Sequence, residues 1–375
     1  MPTYRVARIV VWALLACACA CAPPVRVLTD CREGAGLKPI CSFKNPEDLA
    51  TLPGGQWLLV SEFPGLWKEA PGRLSAYRPQ DGRIVPLYGP AVPVAPRPER
   101  LAGTADCLEP PDRGRFAPHG LDIGSVGGVT RLVVVNHGGR EAIEEFDVRM
   151  APGGPALTWV GCVPLPDDAM GNDVVVRADG SLVVTNFLPR HPGLGTLLRM
   201  AFARPTGDVI EWSSTAGWQT IAGTRDRQPN GLAASPDGEH LFVTMWGAKK
   251  LVRLRRDGSG RREVALPHHP DNLSWTHDGQ LLVTGQKGSP YQLIACDGLQ
   301  AGVCGIAFSV VRVDPTSLAT EVVLDHDPAL VAGSGSVAIE VGDDIWIGSF
   351  SSDRIVRYRP AAPAPGTQKP SRSSA

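Results

Sequence analysis

The stretch PNGLAASPDGEHLFVTMW, residues 229–246, contains a polar opening, an apolar run, a Ser-Pro-Asp-Gly turn and a second apolar run. This order is typical of two antiparallel strands joined by a hairpin. The pattern recurs from about residues 45, 117, 171, 270 and 336, and a more polar strand pair follows most copies. Six copies, spaced by about 40 to 70 residues, match the length of a four-stranded blade. The sequence therefore predicts an all-β fold, a six-bladed β-propeller.

The composition excludes several other classes of protein. The 375 residues carry a formal net charge of −1, with 43% hydrophobic and 20% charged residues, which is an ordinary globular balance. Nucleic-acid binding calls for a basic face, and this charge balance gives no reason to expect one. There is no GxSxG sequence of a serine hydrolase. The 42 glycines and 35 prolines fit a chain with many turns.

The N-terminus is interpreted as an export signal. Arg5 and Arg8 precede the short apolar run IVVWALLA, residues 9–16, which is too short to span a bilayer. The run ends in LLAC, the form of a bacterial lipobox with Cys17 as the lipidated residue. We therefore expect an exported protein, lipid-anchored at Cys17 to the cell envelope, in the periplasm or at the outer membrane. The alternative is a plain secretory signal and a secreted protein.

These features divide the chain into four parts. We expect a lipoprotein signal peptide at 1–16, an N-terminal linker or anchor segment at 17–40, the propeller at 41–360, and a disordered Pro/Ser-rich tail at 361–375.

Six cysteines lie beyond Ala22, and an even number in an exported chain predicts disulfides. The pairs Cys31–Cys41 and Cys296–Cys304 are close enough in sequence to close small loops. Six cysteines allow 15 pairings, so the sequence leaves the pattern open.

The opening residues of the repeats are expected to meet at one mouth of the channel, because the inner strands of a propeller converge there. They are Glu47, Asp48, His119, Asn172, Asp173, Asn230, Asp271 and Asn272. Carboxylate and amide oxygens are the ligands that Ca²⁺ prefers, whereas Zn²⁺ favours nitrogen and sulfur. The sequence thus predicts a central calcium-binding channel, although Asn and Asp also populate ordinary turns.

The predicted donor set leaves room for a reactant. Glu47 and Asp271 would bring two negative charges to one point, which is costly in a partly dehydrated channel without a cation. Asn172, Asn230 and Asn272 add neutral oxygens. Five donors leave one to three positions of a calcium ion open for water or substrate.

The segments PEDLATLPGG, APHGL, LVVVNH, GNDVVV, PNGLAASPDG and PDNLS run in one order from Glu47 to Asn272. This ordered set resembles the paraoxonase (arylesterase and lactonase) family, and more distantly the gluconolactonase and strictosidine-synthase-like propellers. The motif order is specific, although each motif alone is short.

The resemblance implies two calcium ions and the residues that serve them. The ligands implied for a catalytic ion are Glu47, Asn172, Asn230, Asp271 and Asn272. A structural ion is implied to bind Asp48, Asp173 and the backbone carbonyl of Leu121. His119 is implied to activate water, with His137 as its supporting partner.

Some segments depart from the family pattern. Residues 187–189 read FLP where the family has Asp-His-Tyr, and the loops at 63–72 and 294–305 do not follow the vertebrate members. Such loops cover the channel mouth, so the resemblance implies no particular substrate.

The expected function is calcium-dependent hydrolysis of a small-molecule lactone or carboxylic (aryl) ester. Ca²⁺ would polarise the carbonyl and His119 would activate water, with Asp271 as a rival base. Two alternatives remain, a gluconolactonase-like sugar lactone hydrolase and a non-catalytic propeller that calcium stabilises for binding.

Overall fold

The computed structural model describes residues 25–66, 68, 70–93, 102–104, 107–297, 299–327 and 331–360. The predicted signal peptide, the lipidation site Cys17 and the tail at 361–375 lie outside the described residues.

The described chain forms a six-bladed β-propeller, as the repeat predicts. Two short strands precede the blades: β1 (Val27–Leu28) and β2 (Leu37–Ile40). Blade 1 contains β3 (Pro46–Thr51), β4 (Leu58–Glu62), β5 (Arg73–Arg78) and β6 (Arg83–Tyr88). Blade 2 contains β7 (Ala102–Gly103), β8 (Pro118–Val126), β9 (Val129–Asn136), β10 (Ala142–Ala151) and β11 (Gly154–Pro164). Blade 3 contains β12 (Ala169–Val176), β13 (Leu182–Pro189), β14 (Asp208–Ser213) and β15 (Gly217–Thr220).

The remaining blades follow the same order from the channel outward. Blade 4 contains β16 (Pro229–Ala234), β17 (His240–Met245), β18 (Lys250–Arg255) and β19 (Arg262–Ala265). Blade 5 contains β20 (His269–Trp275), β21 (Leu281–Gln286), β23 (Phe308–Val313) and β24 (Thr320–His326), while the short β22 (Val303–Cys304) pairs with β1. Blade 6 contains β25 (Gly335–Val341), β26 (Asp344–Ser349), β27 (Ile355–Tyr358) and, as its outer strand, β2.

Apolar side chains on the two faces of each sheet pack against the neighbouring blades. Val135 of blade 2, for example, shares one buried cluster with Val174 and Val184 of blade 3. Inner strands are buried on both faces, and β12 is buried along its whole length. The core therefore lies between the blades, and burial of apolar area at about 25 cal/mol per Å² stabilises the ring.

The N-terminal region closes the ring. In β2, Leu37 pairs with Tyr358 and Ile40 pairs with Ile355 of β27, in antiparallel register. This strand lies in the segment 17–40 that the sequence assigns to a linker, so the propeller includes residues on the N-terminal side of 41. Four residues, LKPI, are too few for the periodicity of a strand to be visible in the sequence.

Two short helices and one turn of 3₁₀ helix lie at one end of the ring. The helix α1 (Leu194–Ala201) connects β13 to β14, and α2 (Pro290–Cys296) lies between β21 and β22. A 3₁₀ turn, Trp246–Ala248, follows β17. All three elements follow the second strand of a blade, so they lie at the end where the inner strands begin.

Three disulfides join the described cysteines. The sequence-near pairs are confirmed, with Cα–Cα distances of 6.3 Å for Cys31–Cys41 and 5.8 Å for Cys296–Cys304. The third pair is Cys107–Cys162, at 5.4 Å. Disulfides persist in oxidising compartments, so these pairs indicate an exported protein. No helix within the described ranges has the length and apolar character of a bilayer span.

Every inner strand begins with an irregular pairing to its neighbour. The register shifts lie at Pro46/Asp48, Pro118/Leu121, Gly171/Val174, Pro229/Leu232, Pro270/Leu273 and Gly335/Val337. A β-bulge leaves its extra residue outside the regular ladder and turns that residue away from the pleat. The residues inside these six irregularities include every acidic or amide residue that the sequence places at the channel mouth except Asp48, which borders the first irregularity and pairs with Ser61.

Candidate functional site

The central channel holds two cavities. The upper cavity, of about 460 Å³, lies where the inner strands begin, and its lining includes Glu47, His119, Asn172, Asn230 and Asp271. The lower cavity, of about 400 Å³, lies further along the same strands, and its lining includes Asp48, Leu121 and Asp173. Asn272 lines neither cavity, but it contacts Glu47, which lines the upper one, so the two predicted ligand sets lie at different depths of the channel.

Four buried oxygens of the upper set have no hydrogen-bond donor. They are Glu47 Oε2, Asn172 Oδ1, Asn230 Oδ1 and Asn272 Oδ1. Among the described residues these are the only buried side-chain carboxylate or amide oxygens without a partner. Leaving such a group unsatisfied costs about 1–3 kcal/mol each, and four blades contribute to this one place. A hard cation with oxygen ligands would satisfy all four, so the residues present fit calcium.

Asp271, the fifth predicted ligand, is held in place by hydrogen bonds from neighbouring side chains. Gln286 donates from Nε2 to Asp271 Oδ2 at 2.6 Å, and Gln286 Oε1 accepts from Trp246 Nε1 at 3.2 Å. Burial raises the pKa of Asp271 to about 7. Burial, together with the charge of Asp271, also raises the pKa of Glu47 well above its ordinary value. A bound cation would offset both the desolvation and the repulsion of these carboxylates.

The donor set of the upper cavity is mixed. No three His, Cys, Asp or Glu side chains in the described part of the chain converge in an arrangement that holds a metal. Asn272 contacts Glu47 directly, because its Nδ2 donates to Glu47 Oε1 at 2.9 Å. An ion bound here would therefore take part of its ligands from asparagine.

The lower carboxylates connect adjacent blades. Asp48 accepts the backbone N–H of Leu121 at 2.8 Å, and Asp173 accepts that of Leu232 at 2.7 Å. Burial raises the pKa of Asp48 to about 7, and burial with the charge of Asp48 raises that of Asp173 well above its ordinary value. Each carboxylate oxygen keeps a second lone pair, so these hydrogen bonds leave capacity for a cation.

The two predicted histidines contact each other. His119 Nδ1 lies 3.0 Å from His137 Nε2, and His119 Nε2 lies 3.8 Å from Glu47 Oε1. Phe63 stacks on the His119 ring, with centroids 4.1 Å apart and planes 5° from parallel. Burial and the neighbouring His137 lower the pKa of His119 well below its ordinary value. This shift favours the neutral form of His119, in which one ring nitrogen carries a free lone pair.

Sequence reasoning missed the hydroxyl groups that hold the ligand backbone. Three hydroxyls donate to carbonyls of the next blade: Thr185 to Asn230, Thr244 to Asp271 and Ser336 to Glu47. Thr185 and Thr244 occupy the same repeat position, in LVVTN and LFVTM. This recurrence of threonine on buried strands is the signal in the sequence by which they can be found.

The mouth of the upper cavity is apolar. The apolar side chains that line it are Phe63, Leu66, Phe187, Leu188, Met200, Trp246, Pro290, Leu293, Ile294 and Phe350. Lys68 is the one cation among the described lining residues, and its Nζ lies 3.4 Å from Asp297. The mouth therefore fits a ligand with an apolar substituent above a polar reacting group.

Comparison with known proteins identifies the fold. No protein-family model matches the chain, and no curated protein matches it. A solved gluconolactonase from Xanthomonas campestris has a TM-score of 0.50 at 20% identity, covering 91% of this chain and 98% of that one. A luciferin-regenerating enzyme has a TM-score of 0.50 at 13% identity, covering 89% and 95%. At these identities the likeness establishes a gluconolactonase-like propeller fold and does not establish the function.

Proposed function

We propose that this chain is a calcium-dependent hydrolase of lactones and carboxylic esters. The observation that carries the proposal is a set of four unpartnered buried oxygens. Three of them belong to residues that line the upper cavity together with Asp271, and the fourth belongs to Asn272, which donates to Glu47. The ordered motifs that resemble the paraoxonase family support the same chemistry. A gluconolactonase with this fold adds support at the level of architecture alone.

Glu47, Asn172, Asn230, Asp271 and Asn272 would hold the ion in the upper cavity. When bound, calcium supplies Lewis-acid polarisation of a carbonyl and stabilises the oxyanion that forms on it. We further propose that Asp48, Asp173 and the Leu121 carbonyl hold a second, structural calcium in the lower cavity. Calcium analysis of the purified protein should then give two ions per chain, and one after Asp48→Ala.

The protein's own groups supply water activation. His119 lies in the wall of the upper cavity, is neutral, and is fixed by Phe63 and His137. It can take the proton of a water that attacks the carbonyl and return it to the leaving alkoxide, a contribution of about 10²–10⁴-fold.

Asp271 is the second candidate base, because its carboxylate also lies in the wall of the cavity. As an ion ligand, however, it is needed whichever group takes the proton. We expect Asp271→Ala and Glu47→Ala to abolish turnover and His119→Gln to reduce kcat by about 10²-fold or more. Full activity of His119→Gln would assign the proton transfer to Asp271.

The apolar mouth favours substrates with alkyl or aryl substituents over polyhydroxylated sugar lactones. A sugar lactone would place hydroxyls against Phe187, Leu188 and Ile294, whose side chains offer no hydrogen-bond partners. We expect kcat/KM for an alkyl δ-lactone or phenyl acetate to exceed that for gluconolactone by at least about tenfold.

One experiment separates the proposal from its alternatives. The purified protein is assayed with phenyl acetate, alkyl δ-lactones, acyl-homoserine lactones and gluconolactone, after EDTA and again after added Ca²⁺. Loss on chelation with recovery on calcium supports the proposal, and preference for gluconolactone would support the sugar-lactone alternative. Calcium binding without turnover of any substrate would identify a binding propeller.

We also propose that the protein is anchored to the cell envelope by lipid at Cys17, in the LLAC sequence. Mass spectrometry of the mature N-terminus from membrane fractions tests this proposal. Cys17→Ala should release the protein from the membrane, and an unmodified N-terminus beyond Cys17 would overturn the anchor.

A further inference from the structure

The histidine pair continues to a third residue that neither the repeat nor the family resemblance assigns. His137 Nδ1 lies 2.7 Å from Glu141 Oε1. We propose that Glu141 is a positioning residue, which fixes the proton positions of His137 and His119 and keeps an unprotonated His119 Nε2 at the upper cavity. The catalytic meaning of this arrangement depends on the proposed hydrolase function, whereas the proton positions themselves do not.

The hydrogen bonds of Glu141 set the first proton. The backbone N–H of Gly171 donates to the same Oε1 at 3.2 Å. This oxygen is the acceptor for Gly171, so it also faces His137 as an acceptor, and the proton of their hydrogen bond lies on His137 Nδ1. A neutral histidine has one protonated nitrogen, so His137 Nε2 is then an acceptor.

The second proton follows from the first. Only one proton can lie between His119 Nδ1 and His137 Nε2, which are 3.0 Å apart. Since His137 Nε2 accepts, His119 Nδ1 donates. The remaining nitrogen, His119 Nε2, keeps its lone pair on the side of Glu47 and the upper cavity. This is the tautomer that a base facing the cavity requires.

Burial keeps the three residues in place. The side chains of His119, His137 and Glu141 are 6%, 12% and 5% exposed, so water competes little for their hydrogen bonds. Glu141 directly precedes β10, and its carbonyl accepts the N–H of Leu165 at 3.0 Å. Glu141 also contacts Gly171, which is next to Asn172. The three residues therefore lie against blade 3, which provides a predicted calcium ligand.

The conservative variant Glu141→Gln should retain the arrangement. One oxygen, Oε1, accepts from both His137 and Gly171. A glutamine must direct its oxygen toward the Gly171 N–H, because its NH₂ group would face another donor there. The same oxygen then accepts from His137 Nδ1. In contrast, Glu141→Leu removes the acceptor and frees both rings to exchange tautomers.

Long-range ¹H–¹⁵N spectra of the histidine rings test the proposal, because they distinguish protonated from unprotonated ring nitrogens. The signals are assigned with His119→Gln and His137→Gln. We expect protonated Nδ1 and unprotonated Nε2 for both rings in the unaltered protein and in Glu141→Gln, and a mixture in Glu141→Leu. The control is Glu145→Leu, which removes a buried carboxylate of β10 that pairs with Arg131 and should leave both rings unchanged.

Kinetics give the second readout. We expect Glu141→Leu to lower kcat by about 10- to 100-fold with KM within about twofold, and Glu141→Gln to stay within about threefold of the unaltered protein. A protonated His119 Nε2 in the unaltered protein, or unchanged rings in Glu141→Leu, would overturn the proposal. If Glu141→Leu does not fold, the spectra of the unaltered protein and Glu141→Gln decide. Expected spectra without any turnover would instead refute the hydrolase function and leave the role of Glu141 standing.

Discussion

At the scale of single residues, the unpartnered oxygens determine how the site responds to substitution. Asn172 Oδ1 is buried without a donor, so it destabilises the ion-free folded protein. A bound ion would remove this destabilisation by coordinating the oxygen. Asn172→Leu should therefore raise the free energy of unfolding without calcium, by up to about 1–3 kcal/mol. It should also abolish most of the stabilisation that added calcium gives. Denaturant unfolding with EDTA and with Ca²⁺ measures both effects.

Asn136 provides the matched control for Asn172. It is also buried, but its Oδ1 accepts the backbone N–H groups of Ala117 and Gly138, both at 3.0 Å. Asn136→Leu should therefore destabilise the protein by about 1–3 kcal/mol and leave the calcium-induced increase intact. Equal losses for Asn172→Leu and Asn136→Leu in EDTA would contradict a ligand role for Asn172.

At the scale of strands, close approach between neighbouring inner strands fixes where the ligands lie. A Cβ on Gly231 would come within 2.4 Å of the Asp271 carbonyl oxygen and 2.7 Å of the Asn272 Cα. Gly231→Ala must therefore move β16 and β20 apart at the point where both present ligands. We expect the free energy of unfolding to fall by about 1–3 kcal/mol and the calcium dissociation constant to rise at least about tenfold. Isothermal titration and denaturant unfolding test the two effects.

Gly195 is the control for this substitution. It lies in α1, and an added Cβ would have nothing within 4 Å. Gly195→Ala should stabilise the protein by up to about 1 kcal/mol, because alanine favours a helix over glycine, and should leave calcium affinity unchanged. If Gly231→Ala bound calcium as the unaltered protein does, the strand contact would not position the ligands.

At the scale of the whole molecule, the predicted upper ligands come from blades 1, 3, 4 and 5, so one ion would connect most of the ring. Such an ion binds only the folded state, so free calcium at a hundredfold excess over Kd should add about 2.7 kcal/mol to the free energy of unfolding. Calorimetry in EDTA and over a calcium series measures the rise in Tm. Magnesium should stabilise less, because it demands smaller octahedral geometry. A Tm independent of calcium would contradict a bound ion.

The sequence predicted the blades well, because each blade repeats the same alternation of polar openings and apolar strands. Residues with equivalent repeat positions, such as Asn172 and Asn230, could be placed together from the repeat alone. The geometry that turns them into the channel could not, since a bulge is a local change of register with no fixed residue requirement outside glycine.

Other features were invisible because they depend on contacts outside the repeat. Glu141 follows a connecting loop, and its importance comes from contacts with His137 and with Gly171 of the next blade. The pairing of β2 with β27 joins strands from opposite ends of the described chain. Single-sequence patterns report local periodicity, and neither contact is local.

The closure of blade 6 by β2 also constrains the order in which the molecule can be completed. β2 precedes every blade and β27 is the last strand of the described chain, so the ring stays open until these two strands meet. Joining such distant segments carries the loop-closure entropy of almost the entire chain, which makes it a late and slow event. Until then β27 presents an unpaired edge, where association with other incompletely folded chains competes with pairing to β2.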